Sequence, residues 1–277
     1  MRRTIVFLST AVLVLASCGE DSSNAGFEVT SEVVSDATTQ DVLVVAPDAQ
    51  GSWPVVLALH GVDGSGGDMG EIATRLGQKG SVVFAPTYRT DIGTQRGIVQ
   101  AVRDIECGYR FGRSIAADYA GDLDQPVTFV GWSLGATGVL ALGLTEEIDP
   151  SGKHISCFSN VPRPDVIVAI SGCYYEYAGA PVSTFDPSGW GNEDARIVLV
   201  AGEKDTTCAA WQSKKAAAEL RSAGYDVDLV MLQGANHYAP VFHDLQDGQF
   251  VVVADDPAGE RTVEVILDAI AARQDRT

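Results

Sequence analysis

A serine, an aspartate and a histidine follow one another along this chain, each just beyond an apolar run. Ser133 lies in Gly131-Trp132-Ser133-Leu134-Gly135 after Pro126 to Val130, Asp205 in Glu203-Lys204-Asp205-Thr206 after Arg196 to Gly202, and His237 in Gly234-Ala235-Asn236-His237 after Val227 to Leu232. Together they can perform acyl transfer. A serine hydroxyl is a poor nucleophile at neutral pH until a base takes its proton during attack, and His237 can do that and return the proton to the leaving group. Asp205 would hold the imidazole in the tautomer that presents its free nitrogen to Ser133 and stabilise the imidazolium that forms. Glu203 is the rival acid, but it stands where the strand only begins to turn, and its longer side chain would reach past the histidine.

The two glycines around Ser133 have a physical reason. A strand that breaks sharply into a helix holds the serine in a strained conformation, and side chains on the flanking positions would clash as strand and helix close together. A tetrahedral intermediate carries an oxyanion that needs two donors. Leu134 N–H, at the head of the helix, is one; Val62 N–H, in the loop His60-Gly61-Val62-Asp63-Gly64 after Val55 to Leu59, is the other. His60 reads as a packed loop residue, His154 as surface or loop, and His243 as an alternative base just downstream of His237.

The elements that must position these groups alternate between strand and helix. Strands are predicted at Val42 to Ala46, Val55 to Leu59, Val82 to Ala85, Val127 to Val130, Val166 to Ile170, Ile197 to Ala201 and Val227 to Leu232, with a weaker one around Phe27 to Val34. Helices are predicted at Arg96 to Ala120, Leu134 to Leu144, Cys208 to Ala223 and Thr262 to Ala272. Such alternation predicts a doubly wound, mostly parallel eight-stranded sheet with an antiparallel start and helices on both faces. Ligands then gather at the C-terminal ends of the strands, where all three residues fall.

With these residues in place, the chain resembles the α/β-hydrolase superfamily over about residues 40 to 273. Within it, the chain is similar to lidless esterases related to dienelactone hydrolases and to feruloyl or polyhydroxyalkanoate esterases. The motifs that carry the resemblance are the loop from His60 to Ser65, Pro86-Thr87-Tyr88-Arg89, the turn from Gly131 to Gly135, Gly202 to Asp205, and Asn236-His237. It implies a serine esterase with Ser133, His237 and Asp205 as its triad and no cofactor. One departure concerns the oxyanion loop, which has Val62 and Asp63 where many esterases carry glycines.

The N-terminus reads as an address. Met1-Arg2-Arg3 is a positive n-region, Ile5 to Leu15 an apolar core too short to span a bilayer, and Leu15-Ala16-Ser17-Cys18 resembles a bacterial lipobox. The expected organisation is therefore a lipoprotein signal over residues 1–17, a polar tether over 18–26 carrying a lipidated Cys18, and one catalytic domain over 27–277. That places the domain on the extracytoplasmic face of the cell membrane. In this oxidising setting the four remaining cysteines can pair. Cys173 ends one strand and Cys208 lies just past the end of the next in the sheet, whereas Cys107 and Cys157 fall on neighbouring elements. The expected bridges are thus Cys173 with Cys208 and Cys107 with Cys157. No C-x-x-C or paired-histidine spacing suggests a metal site.

Nineteen basic residues against 37 acidic ones give a net charge of −18, and loss of Arg2 and Arg3 with the signal takes it to −20. A nucleic-acid partner is disfavoured. The segment between Cys173 and Asp194 is too short for a large cap domain. An open site suits small or polymer-attached esters, and Trp132, Tyr174, Tyr175 and Trp190 are candidates for an aromatic wall against a sugar or phenolic group. Tyr88 and Arg89 read as structural. Two other functions share the same sequence: a peptidase, since the same triad cleaves amides, and a catalytically idle hydrolase fold serving as a binding lipoprotein.

Overall fold

A computed structural model describes residues 26–35, 41–91, 93–144, 163–177, 180–181 and 185–275. The expected signal segment, Cys18, most of the tether, His154 and Cys157 lie outside the described residues.

The central strands are apolar runs without alternation, as strands covered on both faces must be. The sheet comprises β1 (Val29–Val34), a partly exposed edge strand, β2 (Val42–Pro47), β3 (Trp53–Leu59), β4 (Val82–Pro86), a two-residue β5 (Gly121–Asp122), β6 (Thr128–Trp132), β7 (Val166–Ile170), β10 (Arg196–Gly202) and β11 (Asp226–Leu232). Two short pairs, β8 (Glu176–Tyr177) with β9 (Ala180–Pro181) and β12 (His243–Gln246) with β13 (Gln249–Val252), stand apart from this sheet. The main order is β1-β2-β4-β3-β6-β7-β10-β11, with β5 attached to β3. Pairing is antiparallel for β1 with β2 and β2 with β4, and parallel from there on. The eight expected strands therefore make up the sheet path, and β5 adds a ninth.

Helices cover both faces. α1 (Gly70–Gln78) and α5 (Pro257–Gln274) pack Ile72, Leu76, Val263, Ile266 and Ile270 against one face. α2 (Gln95–Ile115), α3 (Leu134–Leu144) and α4 (Trp211–Ser222) cover the other, through Ile105, Val139, Leu140, Ala216 and Leu220. Caps set the ends of two of them. Thr94 accepts the Gly97 N–H at 3.0 Å before α2, and Asp256 accepts the Ala258 N–H at 2.8 Å with Pro257 at the first helical position of α5. The N-terminal capping signal places the start of α5 at Pro257, ahead of the predicted Thr262. α2 stops at Ile115 because the chain tightens into a short 3₁₀ turn closed by Ala120 in the left-handed region (φ 59°).

Candidate active site

β6 delivers Ser133 at its C-terminal end with a φ of 57°. For a residue with a Cβ this conformation is costly, and it persists here because the surroundings fix it. Ser133 N–H still donates to Ile170 O at 2.9 Å, continuing the pairing with β7, while its carbonyl already accepts from Ala136 N–H at 3.1 Å at the start of α3. The turn is as tight as the sequence requires. A Cβ at Gly131 would run into the Gly135 carbonyl, and one at Gly135 into the carbonyls of Leu59 and His60.

Two parallel strands over, β10 leads into Asp205, and β11 leads into the loop that holds His237. These segments approach closely because residue 202 is glycine: a Cβ there would meet the carbonyls of Ala235 and Asn236. Lys204 N–H donates to Ala235 O at 2.8 Å, and Asn236 Oδ1 accepts from the N–H groups of Tyr238 and Ala239 at 2.9 and 3.0 Å. The outcome is a chain of buried hydrogen bonds. Ser133 Oγ lies 3.1 Å from His237 Nε2, and His237 Nδ1 lies 2.8 Å from Asp205 Oδ2. The three residues are only 3–4% exposed.

The second carboxylate oxygen of Asp205 is also engaged, accepting from Thr207 N–H at 2.9 Å and Cys208 N–H at 2.8 Å. These donors escaped the sequence reading, although Asp followed by two Thr is a sequence able to fold its backbone around its own carboxylate. Cys208 is in turn bridged to Cys173 just beyond β7, with Cα atoms 4.7 Å apart, as expected. The Asp205 loop is thus tied covalently to β7, the strand that pairs with β6. Cys107, on α2, is disulfide-bonded as well, but its expected partner Cys157 lies outside the described residues. Glu203 is exposed and its N–H belongs to the strand end, donating to Leu232 O at 3.0 Å. His243 is buried with Nδ1 2.8 Å from Val241 O and its ring parallel to Trp132, so it packs rather than serves as an alternative base.

The two residues expected to donate to an oxyanion, Leu134 and Val62, lie in segments next to Ser133. Leu134 opens α3, so its N–H is among the first-turn donors with no carbonyl one turn behind. Gly61 packs on Ser133 and Trp132 so closely that a Cβ there would lie 3.3 Å from Ser133 Cβ, which brings the loop that carries Val62 up to Ser133. Buried His60 frames this loop. Tyr88 N–H donates to His60 Nε2 at 3.2 Å, which leaves the proton on Nδ1, 2.7 Å from the Gly61 carbonyl that accepts it. Tyr88 Oη donates to His60 O at 2.5 Å, and the two rings stack at 4.1 Å. Burial pushes the His60 imidazolium below its ordinary pKa, so the ring is held neutral. Asp63 takes a left-handed φ of 57° with its N–H on Thr90 Oγ1 at 3.0 Å. Side-chain bonding from Thr90 and Tyr88 thereby orders this loop.

The expected aromatic wall is not what those side chains form. Trp132 and Tyr174 are buried, 3% and 1% exposed. Tyr175 donates to Glu219 Oε2 at 2.6 Å and stacks on Trp211, with Lys215 Nζ 4.0 Å above its ring. Trp190 packs edge-on against Phe185, and its carbonyl accepts from Tyr225 Oη at 2.7 Å. An amphipathic aromatic ring buries more favourably against neighbouring apolar surface than it stands in water, and here three of them fasten the segment after β7 to α4 and the sheet. Arg89 pairs bidentately with Asp104 at 2.6 Å on both arms, in keeping with the structural reading of Tyr88 and Arg89.

Strand order, the serine on a left-handed turn and the loops that gather around it define the α/β-hydrolase fold. The chain is similar in structure to a truncated carbohydrate esterase from gut microbiota (TM-score 0.65, 15% identity, 90% of this chain and 99% of that one). It is likewise similar to the esterase Est2 of Thermogutta terrifontis with propionate bound (TM-score 0.63, 16% identity, 88% and 94%) and to esterase B of Lactobacillus rhamnosis (TM-score 0.70, 15% identity, 92% and 89%). The prolyl oligopeptidase family model matches residues 175–246, a stretch that contains Asp205 and His237. Comparison with curated proteins gives no match.

Proposed function

We propose that this protein is a serine hydrolase of carboxylic esters. The observation that carries the proposal is the continuous hydrogen-bonded path from Ser133 Oγ through His237 to Asp205, with the serine on a strained turn. Ser133 Oγ attacks the ester carbonyl while His237 Nε2 takes its proton, and Val62 and Leu134 N–H receive the charge that develops on the carbonyl oxygen. The tetrahedral intermediate then collapses, with His237 giving the proton to the departing alkoxide. Water repeats the sequence on the acyl-Ser133, releasing the acid and restoring the hydroxyl. Asp205, held by two N–H donors on one oxygen and the imidazole on the other, orients the base.

The esterase reading is supported by solved esterases of the same fold whose length this chain covers almost entirely. Small or polymer-attached esters suit a site that, among the described residues, has only the two-residue strands β8 and β9 between β7 and β10. A peptidase is the second reading, favoured by the partial family match. Paired nitrophenyl-ester and nitroanilide substrates of the same acyl group decide between them: faster ester turnover that vanishes in Ser133→Ala supports the proposal, and a preference for the anilide replaces it with the peptidase.

Location is part of the same proposal. The charged Met1-Arg2-Arg3, the apolar run to Leu15 and the Leu15-Ala16-Ser17-Cys18 sequence support export and lipid attachment at Cys18, on the extracytoplasmic face of the membrane.

A further inference from the structure

Trp132 stands next to the nucleophile, yet its indole lies behind the base rather than in the site. Nε1–H donates to the main-chain carbonyl of His237 at 3.0 Å, and both residues are 3% exposed. The ring centroid is 5.5 Å from the His237 imidazole and 6.0 Å from Tyr238. His243 lies parallel to it, at 8° and 6.1 Å, and Phe250 of β13 meets it edge-on at 6.1 Å. Phe250 also packs on Tyr238 and His243, so the β12–β13 hairpin, inserted between the His237 loop and α5, closes over the indole.

One rigid side chain therefore joins the backbone of the nucleophile to the backbone of the base. The His237 loop is bonded to the acid loop through Ala235 and turned by Asn236, but the bond to the carbonyl of His237 itself comes from Trp132. A buried indole N–H and a buried carbonyl each need a partner, so this bond is costly to leave unmade.

Building on the triad reading above, we propose that Trp132 is a positioning residue for the base: its Nε1–H sets the distance from His237 Nε2 to Ser133 Oγ, and Phe250 and His243 hold the indole in the orientation that makes the bond. Proton transfer between Ser133 and His237 occurs in both halves of the reaction, and small misplacements of a base cost rate steeply.

The test is Trp132→Phe, which keeps an aromatic ring and removes the donor. Expected are a fall in kcat of about 10- to 100-fold with KM unchanged and an equal fall in the rate of fluorophosphonate labelling at Ser133. Wild-type kcat overturns the proposal, as does a raised KM at constant kcat, which would make Trp132 a substrate-binding residue. Phe250→Ala, a half-exposed position, serves if the first variant does not fold. It is expected to lower kcat several-fold at constant KM, because the indole loses the contact that orients it, and unchanged kcat overturns the proposal. If wild-type protein is itself neither labelled at Ser133 nor active on esters, the triad reading has failed rather than the role of Trp132.

Discussion

Asp205 and Cys208 share a bond that links the chemistry to the covalent frame: the Cys208 N–H donates to Asp205 Oδ1 at 2.8 Å, while the Cys208 sulfur is bridged to Cys173. The carboxylate is thus held from both ends, with His237 on Oδ2 and the backbone of its own loop on Oδ1.

Replacing both cysteines by serine is expected to cost about 3–4 kcal/mol of stability, from the chain entropy returned to the unfolded state by a loop of sequence separation 35. Denaturant unfolding of the oxidised wild type and the double variant measures this. A lower kcat under conditions where the variant is fully folded would show that the bridge also orders the acid loop; KM is expected to stay constant.

Asp205→Asn keeps the shape of the acid but presents the wrong partner to Nδ1–H. Steady-state kinetics should show kcat reduced by ~10⁴, the loss that follows removal of the acid from a Ser-His-Asp triad. Glu203→Gln, at an exposed position, is expected to retain wild-type rates. The reverse pattern would transfer the acid's role to Glu203.

Tyr88→Phe removes the hydroxyl that donates to the His60 carbonyl and so loosens the oxyanion loop ahead of Val62. A misaligned oxyanion donor lowers kcat, by up to 10²-fold. KM should change little, because the donors act on charge that develops after binding.

His60 also gives folding stability a pH dependence. Its folded pKa lies below the unfolded value because burial disfavours the cation, so between those two values the unfolded chain binds more protons. Stability from this group is fully present above pH 6.5 and is lost as pH falls below it. Denaturant midpoints measured from pH 7.5 to 5 are expected to fall, with the His60 ring remaining neutral by NMR after free histidine has titrated. A His60 that titrates at or above pH 6.5 in the folded protein would contradict the assignment.

Cys18→Ala is expected to move the protein from the membrane fraction to the soluble fraction of its cells while leaving ester turnover intact. Unchanged fractionation would make the Leu15 to Cys18 sequence a coincidence.

The parallel strands and the three residues at their ends were legible because buried strands are continuous apolar runs and the turn around Ser133 needs its glycines. Less was written locally elsewhere. α1 is a short amphipathic segment, Gly70–Gln78, whose few apolar positions (Ile72, Ala73, Leu76) gain meaning only once β2 and β4 are there to cover. β12 and β13 carry exposed apolar side chains, among them Phe250 at 48%, and the hairpin is defined by packing on Trp132 and Tyr238 rather than by pattern. The four aromatic residues expected to line the site illustrate the same limit: composition places a ring near an edge, but whether it faces substrate or core depends on neighbours such as Glu219, Trp211 and Tyr225, which are distant in sequence.

Whether Ser133 is a competent nucleophile is decided by treatment of the folded domain, residues 27–277, with a fluorophosphonate probe, followed by peptide mapping and turnover of nitrophenyl esters of increasing acyl length. Expected are a single adduct on Ser133, loss of ester turnover in proportion to labelling, and neither labelling nor turnover in Ser133→Ala. A folded domain that remains unlabelled and inactive would mean that the triad is not competent, and the reading of this chain as a binding lipoprotein on a hydrolase fold would replace the enzyme.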